Sequence, residues 1–226
     1  MRLAKLFYLP FAFFFFLILL FMLFLLPVIM GGAFHLLGFD PVTTVFLFFL
    51  SLVGSVINLP VYTVKTKEVV PVTSFSSFYG FIYPHARRRE RVRETTVALN
   101  LGGALIPILI SVYLILTHPA LWGQYLIGAI LICFLSYKLA RPIPGVGITM
   151  PALVPPIASA LIALLIPGGP ATAIAYVSGV IGVLVGADLF NLNQTAKAGT
   201  KVLSIGGAGT FDGIFLTGII SVILVA

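Results

Sequence analysis

The sequence predicts an all-α fold: a polytopic transmembrane helical bundle of about seven spans, N-terminus inside and C-terminus outside. Three observations carry this reading. Of 226 residues, 60% are hydrophobic and only 8% are charged, whereas a soluble domain carries roughly 25% charge. The apolar residues come in runs of about 18 or more, the length a helix needs to cross the hydrocarbon core. Laid out as alternating spans, the chain puts all 13 Lys and Arg residues on one side, which is the bias of cytoplasmic loops. The strands of a β-barrel would give weaker, alternating segments of about ten residues.

Span 1 is expected over 7–34. It is too long for a secretion signal, whose apolar region covers roughly 7–15 residues, so it reads as a retained anchor. A turn at Gly38 to Pro41 leads into span 2 over 42–63, and a polar connection comes next at 64–96. Span 3 covers 97–117, "THPA" forms a turn, and span 4 covers 120–137. The Pro/Gly-rich segment "KLARPIPGVGITM" leads into span 5, which starts near Pro151 and ends at "PGGP", residues 167–170. Its length and the internal Pro155-Pro156 make it the least regular span. Span 6 covers 171–190, and span 7 ends at Ala226. Two inside stretches have strand character: the β-branched and aromatic "VVPVTSFSSFYGFIYP" at 69–84, and "TKVLSIGGAG" at 200–209.

On this layout the chain is one integral membrane domain, 1–226, with a cytoplasmic connection at 64–96 and cytoplasmic loops at 138–150 and 191–205. The inside segments hold Arg2, Lys5, Lys65, Lys67, Arg87, Arg88, Arg89, Arg91, Arg93, Lys138, Arg141, Lys197 and Lys201. The net charge of +7 therefore points to membrane lipid headgroups as partners and not to nucleic acid. The location expected is the cell membrane, and the oligomeric state is not legible. Cys133 is the only cysteine and lies in an apolar run, which excludes a disulfide framework. No Cys, His and acid cluster has the spacing of metal ligands, and no cofactor is expected. "GVIGVLVGAD" lacks the Lys and the preceding strand of a phosphate loop, so its small residues read as a helix-packing surface.

Six acidic residues are present. Asp40, Glu68, Glu90 and Glu94 fall in loops, which leaves Asp188 and Asp212 in spans. A final span of about 20 residues has to begin near Ile205 or Gly206, which sets Asp212 about 9 Å along it. Asp188 lies in the last turns of span 6. Spans 6 and 7 are consecutive and antiparallel, so both carboxylates come to the cytoplasmic side at similar depth. A charge placed there costs about 2.5–3.5 kcal/mol and marks a candidate functional residue. Two plainer readings stand beside this one: Asp212 as a helix N-terminal residue favoured by the dipole, and Asp188 paired with Lys197 or Lys201. Asn100, Thr149, Asn191 and Asn193 gather on the same side; His35 and His118 fall at the outer ends.

Three elements then resemble the intramembrane aspartyl proteases of the GxGD type, the group of presenilin and signal peptide peptidase. "MPALVPP" carries Pro151, Ala152 and Leu153 at the inner start of span 5. "GAD" ends span 6 at Asp188, and "GTFD" runs from Gly209 to Asp212. The resemblance covers 151–216. It implies Asp188 and Asp212 as catalytic residues, and Pro151, Ala152, Leu153 and Gly209 as substrate-binding residues, with transmembrane peptides as substrates; Asn100 joins the expected substrate-binding set by its place on the same side and not by the resemblance. The chain departs from the family in three ways. The Pro-Ala-Leu helix precedes the Asp helices, Ala187 stands where the family has Tyr, and Phe211 replaces the second Gly. As a whole, the chain is also similar to an uncharacterised family of small prokaryotic, often archaeal, multi-pass membrane proteins, a likeness that implies topology and no chemistry.

Three function classes are compatible with these features. The first is an aspartyl intramembrane protease. The second is a proton- or cation-coupled transporter or channel, since intramembrane acids also serve as ion relays and Pro/Gly breaks occur where helices unwind around ions. The third is a non-catalytic membrane assembly protein. The separation of the two carboxylates, and the cavity they face, discriminate among them.

Overall fold

The computed structural model describes residues 14, 17, 24–78, 81–143, 147–197, 202–207 and 212–226. Helices dominate, as the composition requires. Helix α1 covers Phe24–Leu36 and α2 covers Pro41–Gly54. Strands β1 (Asn58–Phe78) and β2 (Phe81–Asn100) come next. A π-helical turn, Leu101–Leu105, opens α3 (Ile106–Thr117), and α4 covers Trp122–Leu139. The short strands β3 (Arg141–Ile143) and β4 (Gly147–Thr149) precede α5 (Val154–Leu165). Helix α6 (Ala171–Val183) runs into a π-helical segment, Leu184–Leu189. Helix α7 (Leu192–Lys197), strand β5 (Val202–Ile205) and helix α8 (Gly213–Val225) complete the order.

Among the described residues, two helical stretches are long and apolar enough to cross a membrane, Pro119–Leu139 and Ala171–Leu189. The others are shorter: α8, with 13 residues, spans only about 20 Å. The sequence-based spans shrink because their ends are spent on other structure. Span 2 stops at Gly54, and its later apolar residues Leu59 and Val61 join β1. Span 3 starts late, because Val97 to Asn100 belong to β2. An apolar run of this size cannot be told from strand by hydropathy alone; the β-branched residues facing one another across the pair decide it.

The connection at 64–96 is thus a β-hairpin and not a loop, so the all-α expectation is corrected to a mostly helical fold with a sheet. Its register runs from Asn58 opposite Asn100 to Phe78 opposite Phe81, with one irregularity between Pro60 and Tyr62. At about 3.3 Å per residue, the 21 residues of β1 reach about 70 Å. Strand β1 is an edge, which is where the ladder tolerates Pro60 and Pro71. On the other side β5 pairs with β2 in parallel, Thr96 opposite Val202 through Leu99 opposite Ile205. The expected strand at 200–209 is therefore present at Val202–Ile205, while 208–211 lie outside the described residues. Strands β3 and β4 form a separate antiparallel pair.

Helix α6 is the centre of the bundle and touches α3, α4, α5 and α8. Ile174, Tyr176, Val177, Val180 and Val183 on it are buried. Its small residues let neighbours approach to backbone distance. A Cβ at Gly182 would lie 2.6 Å from Ile132 Cβ, and one at Gly186 would overlap the Cys133 carbonyl oxygen on α4. Some hydroxyls inside the bundle bond to helix carbonyls: Ser159 Oγ donates to Ala175 O at 2.7 Å, and Ser221 Oγ to Gly218 O at 3.1 Å. The outer face of α4 exposes Leu126, Ile127, Ile130, Leu131 and Phe134.

Connectivity sorts the helix ends. The N-termini of α3, α5 and α8 and the C-termini of α4 and α6 all adjoin strands or α7, at what is here the sheet end. The turns at 37–40 and 166–170, His118 and the C-terminal residue form the other end. At the first of these turns Asp40 caps α2, accepting from the backbone N–H groups of Val42 (3.0 Å) and Thr43 (3.1 Å). Hydrogen bonds from Thr43 hold its carboxyl below the usual carboxylate range. Every Lys and Arg among the described residues lies in an element at the sheet end.

Candidate active site

Asp188 sits in the π-helical segment that ends α6. A π turn holds one more residue than an α turn, and such bulges concentrate at functional sites. Each residue advances an α-helix by about 100°, so the widened turn re-aims the residues after it. Gly186 presses on α4 at Cys133, which fixes how close this turn stands to its neighbour. The carboxylate of Asp188 accepts a hydrogen bond from the backbone N–H of Gly206, just past β5, and lies within electrostatic reach of Asp212.

Asp212 is the N-cap of α8. Its backbone is extended and its Oδ1 accepts from Ile214 N at 2.9 Å. The helix starts at Gly213 and not near Ile205, so Asp212 stands at the mouth of the helix instead of about 9 Å along it. The chain before it forms β5 because Val202 to Ile205 find a ladder partner in β2. Both aspartates are half-buried. Alongside the cap hydrogen bond, Asp212 is thus one of the two acids that meet at the sheet end.

Two chambers flank the pair. The larger, about 370 Å³, is lined by Gly147 and Ile148 of β4, by Val202 to Ile205 of β5, and by Gly207, Asp188 and Asp212. The smaller, about 230 Å³, is lined by Ile148, Thr149, Met150, Ala152, Val183, Ala187, Leu216, Gly213 and both aspartates. Ile148, Asp188 and Asp212 belong to both walls. The carboxylates therefore stand between a chamber bordered by two short strands and a more apolar one between helix ends. Among the described residues no group of three or more His, Cys, Asp or Glu comes together.

The expected substrate-binding residues divide. Ala152 lines the smaller chamber with the two aspartates, while Pro151 and Leu153 are exposed and line neither chamber. Gly209 lies outside the described residues, as does Lys201, one of the two expected partners of Asp188; the side chain of Lys197 is likewise undescribed. Asn100 lines neither chamber. It is fully buried at the hairpin base, where Nδ2 donates to Ser55 O at 2.8 Å and to Asn58 Oδ1 at 3.1 Å, and Oδ1 accepts from Gly103 N at 2.7 Å. Ser204 Oγ donates to the same Asn58 oxygen, so this node ties β5 to the hairpin.

Asn100→Leu strands the Gly103 N–H and the Ser55 carbonyl, while Asn58 Oδ1 keeps Ser204; each stranded buried group costs about 1–3 kcal/mol. The expected result is a marked fall in the thermal midpoint in detergent, with Asn100→Asp intermediate because it keeps the cap and loses the donors. Unchanged midpoints in both variants would remove the node from the fold's supports.

Sequence reasoning did not single out Ile148, Met150, Ser204 or the amide of Gly206, although it placed the first two in the Pro/Gly-rich segment before span 5 and the last two in the strand-like stretch at 200–209. Nothing local marks Gly206, because its role depends on β5 pairing with a strand about a hundred residues earlier.

The fold and site define a class: a mostly helical protein with membrane-length helices and a cavity walled by two carboxylates on neighbouring helix ends. The chain belongs to the family described as "Protein of unknown function (DUF1614)", which it matches over residues 52–224. That match spans the hairpin, both aspartates and helices α3 to α8. No curated protein and no solved structure matches the chain.

Proposed function

We propose that this protein is an aspartyl intramembrane protease of seven spans, with its N-terminus and the sheet end in the cytoplasm. The observation that carries the reading is the pairing of Asp188 with Asp212 across a cavity that Ala152 of the Pro-Ala-Leu segment also lines. Two carboxyl groups this close do not both ionise readily, so the pair holds one proton. The ionised member takes a proton from a water, which attacks the scissile carbonyl. The protonated member gives its proton to the carbonyl oxygen. Collapse of the tetrahedral intermediate breaks the C–N bond, and the amine leaves with a proton returned by the pair. Strands β4 and β5 border the larger chamber, where an extended substrate segment would add to a strand edge. The exposed apolar residues of α4 face lipid in this arrangement, where they need no protein cover.

The test is the purified protein in lipid vesicles, offered a panel of transmembrane peptides across pH. Asp-dependent cleavage is the expected result. Absence of cleavage with Asp-dependent proton or cation flux would replace this reading by transport.

The topology is tested separately. In a Cys133→Ser background, single cysteines at 138–141 and 87–93 are expected to react with an impermeant thiol reagent from one face. Cysteines at 118–120 and 167–169 should react from the other. Labelling of 87–93 and 138–141 from opposite faces would overturn the span count.

A further inference from the structure

We propose that Asn191 is a positioning residue for Asp188, and that it is held in turn by the base of the hairpin; the catalytic consequence of this rests on the protease reading above. Asn191 is buried just past the π-helical segment. Its Nδ2 donates to Gly186 O at 3.1 Å and to Ala187 O at 3.0 Å. These are the two carbonyls immediately before Asp188, at a helix end where carbonyls lack intrahelical partners. A side-chain amide carries two N–H donors and can serve both at once. The segment it caps is widened, with Phe190 N bonded to Val185 O at 3.0 Å. Its alternative is ordinary α-helical closure, which would turn Asp188 by about 100° away from Asp212.

The backbone that carries this amide is itself fixed. Both the backbone N–H and the hydroxyl of Thr195 donate to the backbone carbonyl of Asn191, at 2.9 Å each. The next residue of α7, Ala196, accepts from Thr95 Oγ1 of β2 at 3.5 Å. A second support reaches Asp188 from the same strand. Leu99 of β2 pairs with Ile205 of β5, and the next amide along, that of Gly206, donates to the Asp188 carboxylate. Asp188 is therefore steadied through its preceding carbonyls and through its carboxylate, and both routes start on β2, at Thr95 and at Leu99. The hairpin base acts as a frame for the catalytic aspartate as well as an attachment for the arm.

The test uses the full chain in lipid vesicles, in a Cys133→Ser, Asp188→Cys, Asp212→Cys background, with a short bifunctional thiol reagent. The parent is expected to cross-link 188 to 212. Asn191→Leu should slow this at least about 5-fold, and Asn191→Gln, which keeps the amide, should restore most of it. Leu114→Ala, in the buried part of α3, lowers stability generally and should leave the rate near the parent's. In the protein that retains both aspartates, Asn191→Leu should lower kcat for peptide cleavage with little change in KM. Equal cross-linking in the parent and Asn191→Leu, no cross-linking in the parent, or equal slowing by Leu114→Ala would each overturn the proposal. Cross-linking that depends on Asn191 in a protein that cleaves nothing would retire the protease reading and leave the positioning role standing.

Discussion

Asp188→Asn and Asp212→Asn are each expected to lower transmembrane-peptide cleavage by at least roughly 10³-fold, with the double variant little worse than either single one, because members of one catalytic unit act non-additively. The substitution suits this site. Asn at position 212 still caps α8, since Asn and Asp are equally good N-caps, so the bond now made by Ile214 N to Asp212 survives. Asn at position 188 keeps a carbonyl oxygen for the Gly206 amide. What each variant loses is the ability to share and pass a proton. Folding should therefore persist in both, as read from the thermal midpoint and from size exclusion in detergent. Asp212→Ala, by contrast, also loses the cap and should cost about 0.5–2 kcal/mol of stability. Cleavage that continues in both Asn variants would remove the mechanism. Loss of cleavage accompanied by unfolding would turn the aspartates into structural groups.

Gly186→Val is expected to disable the site without touching either carboxylate. A Cβ at this position overlaps the backbone of Cys133 on α4, and backbone cannot turn aside as a side chain can. The helix end must then move away from α4, carrying Asp188 with it. Overpacking of this kind typically costs about 1–3 kcal/mol, and the displacement falls two residues from the aspartate. The expected readout is a lowered thermal midpoint together with lost cleavage and lost 188–212 cross-linking. Gly123→Ala, at the opposite end of α4 and with open space at its Cβ, should leave all three near the parent's. A Gly186→Val protein with parental stability and cross-linking would show that close approach to α4 does not hold the turn.

The small-residue stripe of α6 could be recognised from "GVIGVLVGAD" because glycine and alanine at helical spacing have few uses other than close packing in an apolar chain. The partner could not: that Gly186 meets Cys133, and not a residue of α3 or α8, depends on how α4 and α6 cross. Asn100 illustrates the opposite error. A buried polar residue near the aspartates in sequence-derived depth looks like part of their site, yet its amide is spent on Ser55, Asn58 and Gly103. Hydropathy measures depth and says nothing of which polar partner lies within reach.

Composition and charge placement by themselves determined that the chain is mostly helical and apolar, with the basic residues among those described gathered toward one end, because both depend only on residue content along the chain. The two aspartates were legible for the same reason: an acid within an apolar run carries a cost that demands a purpose. Tertiary structure alone decided the rest. Whether 58–63 extends a helix or opens a strand depended on a partner strand about forty residues away. Whether Asp212 lay inside a span or at its mouth depended on β5 finding β2, which takes Val202 to Ile205 out of the helix. The Asn191 support of Asp188 is local, to carbonyls four and five residues earlier, but the Gly206 amide and the tie from Thr95 to Ala196 join elements apart in sequence, and no local pattern of residues announces a contact whose two ends meet only when the chain has folded.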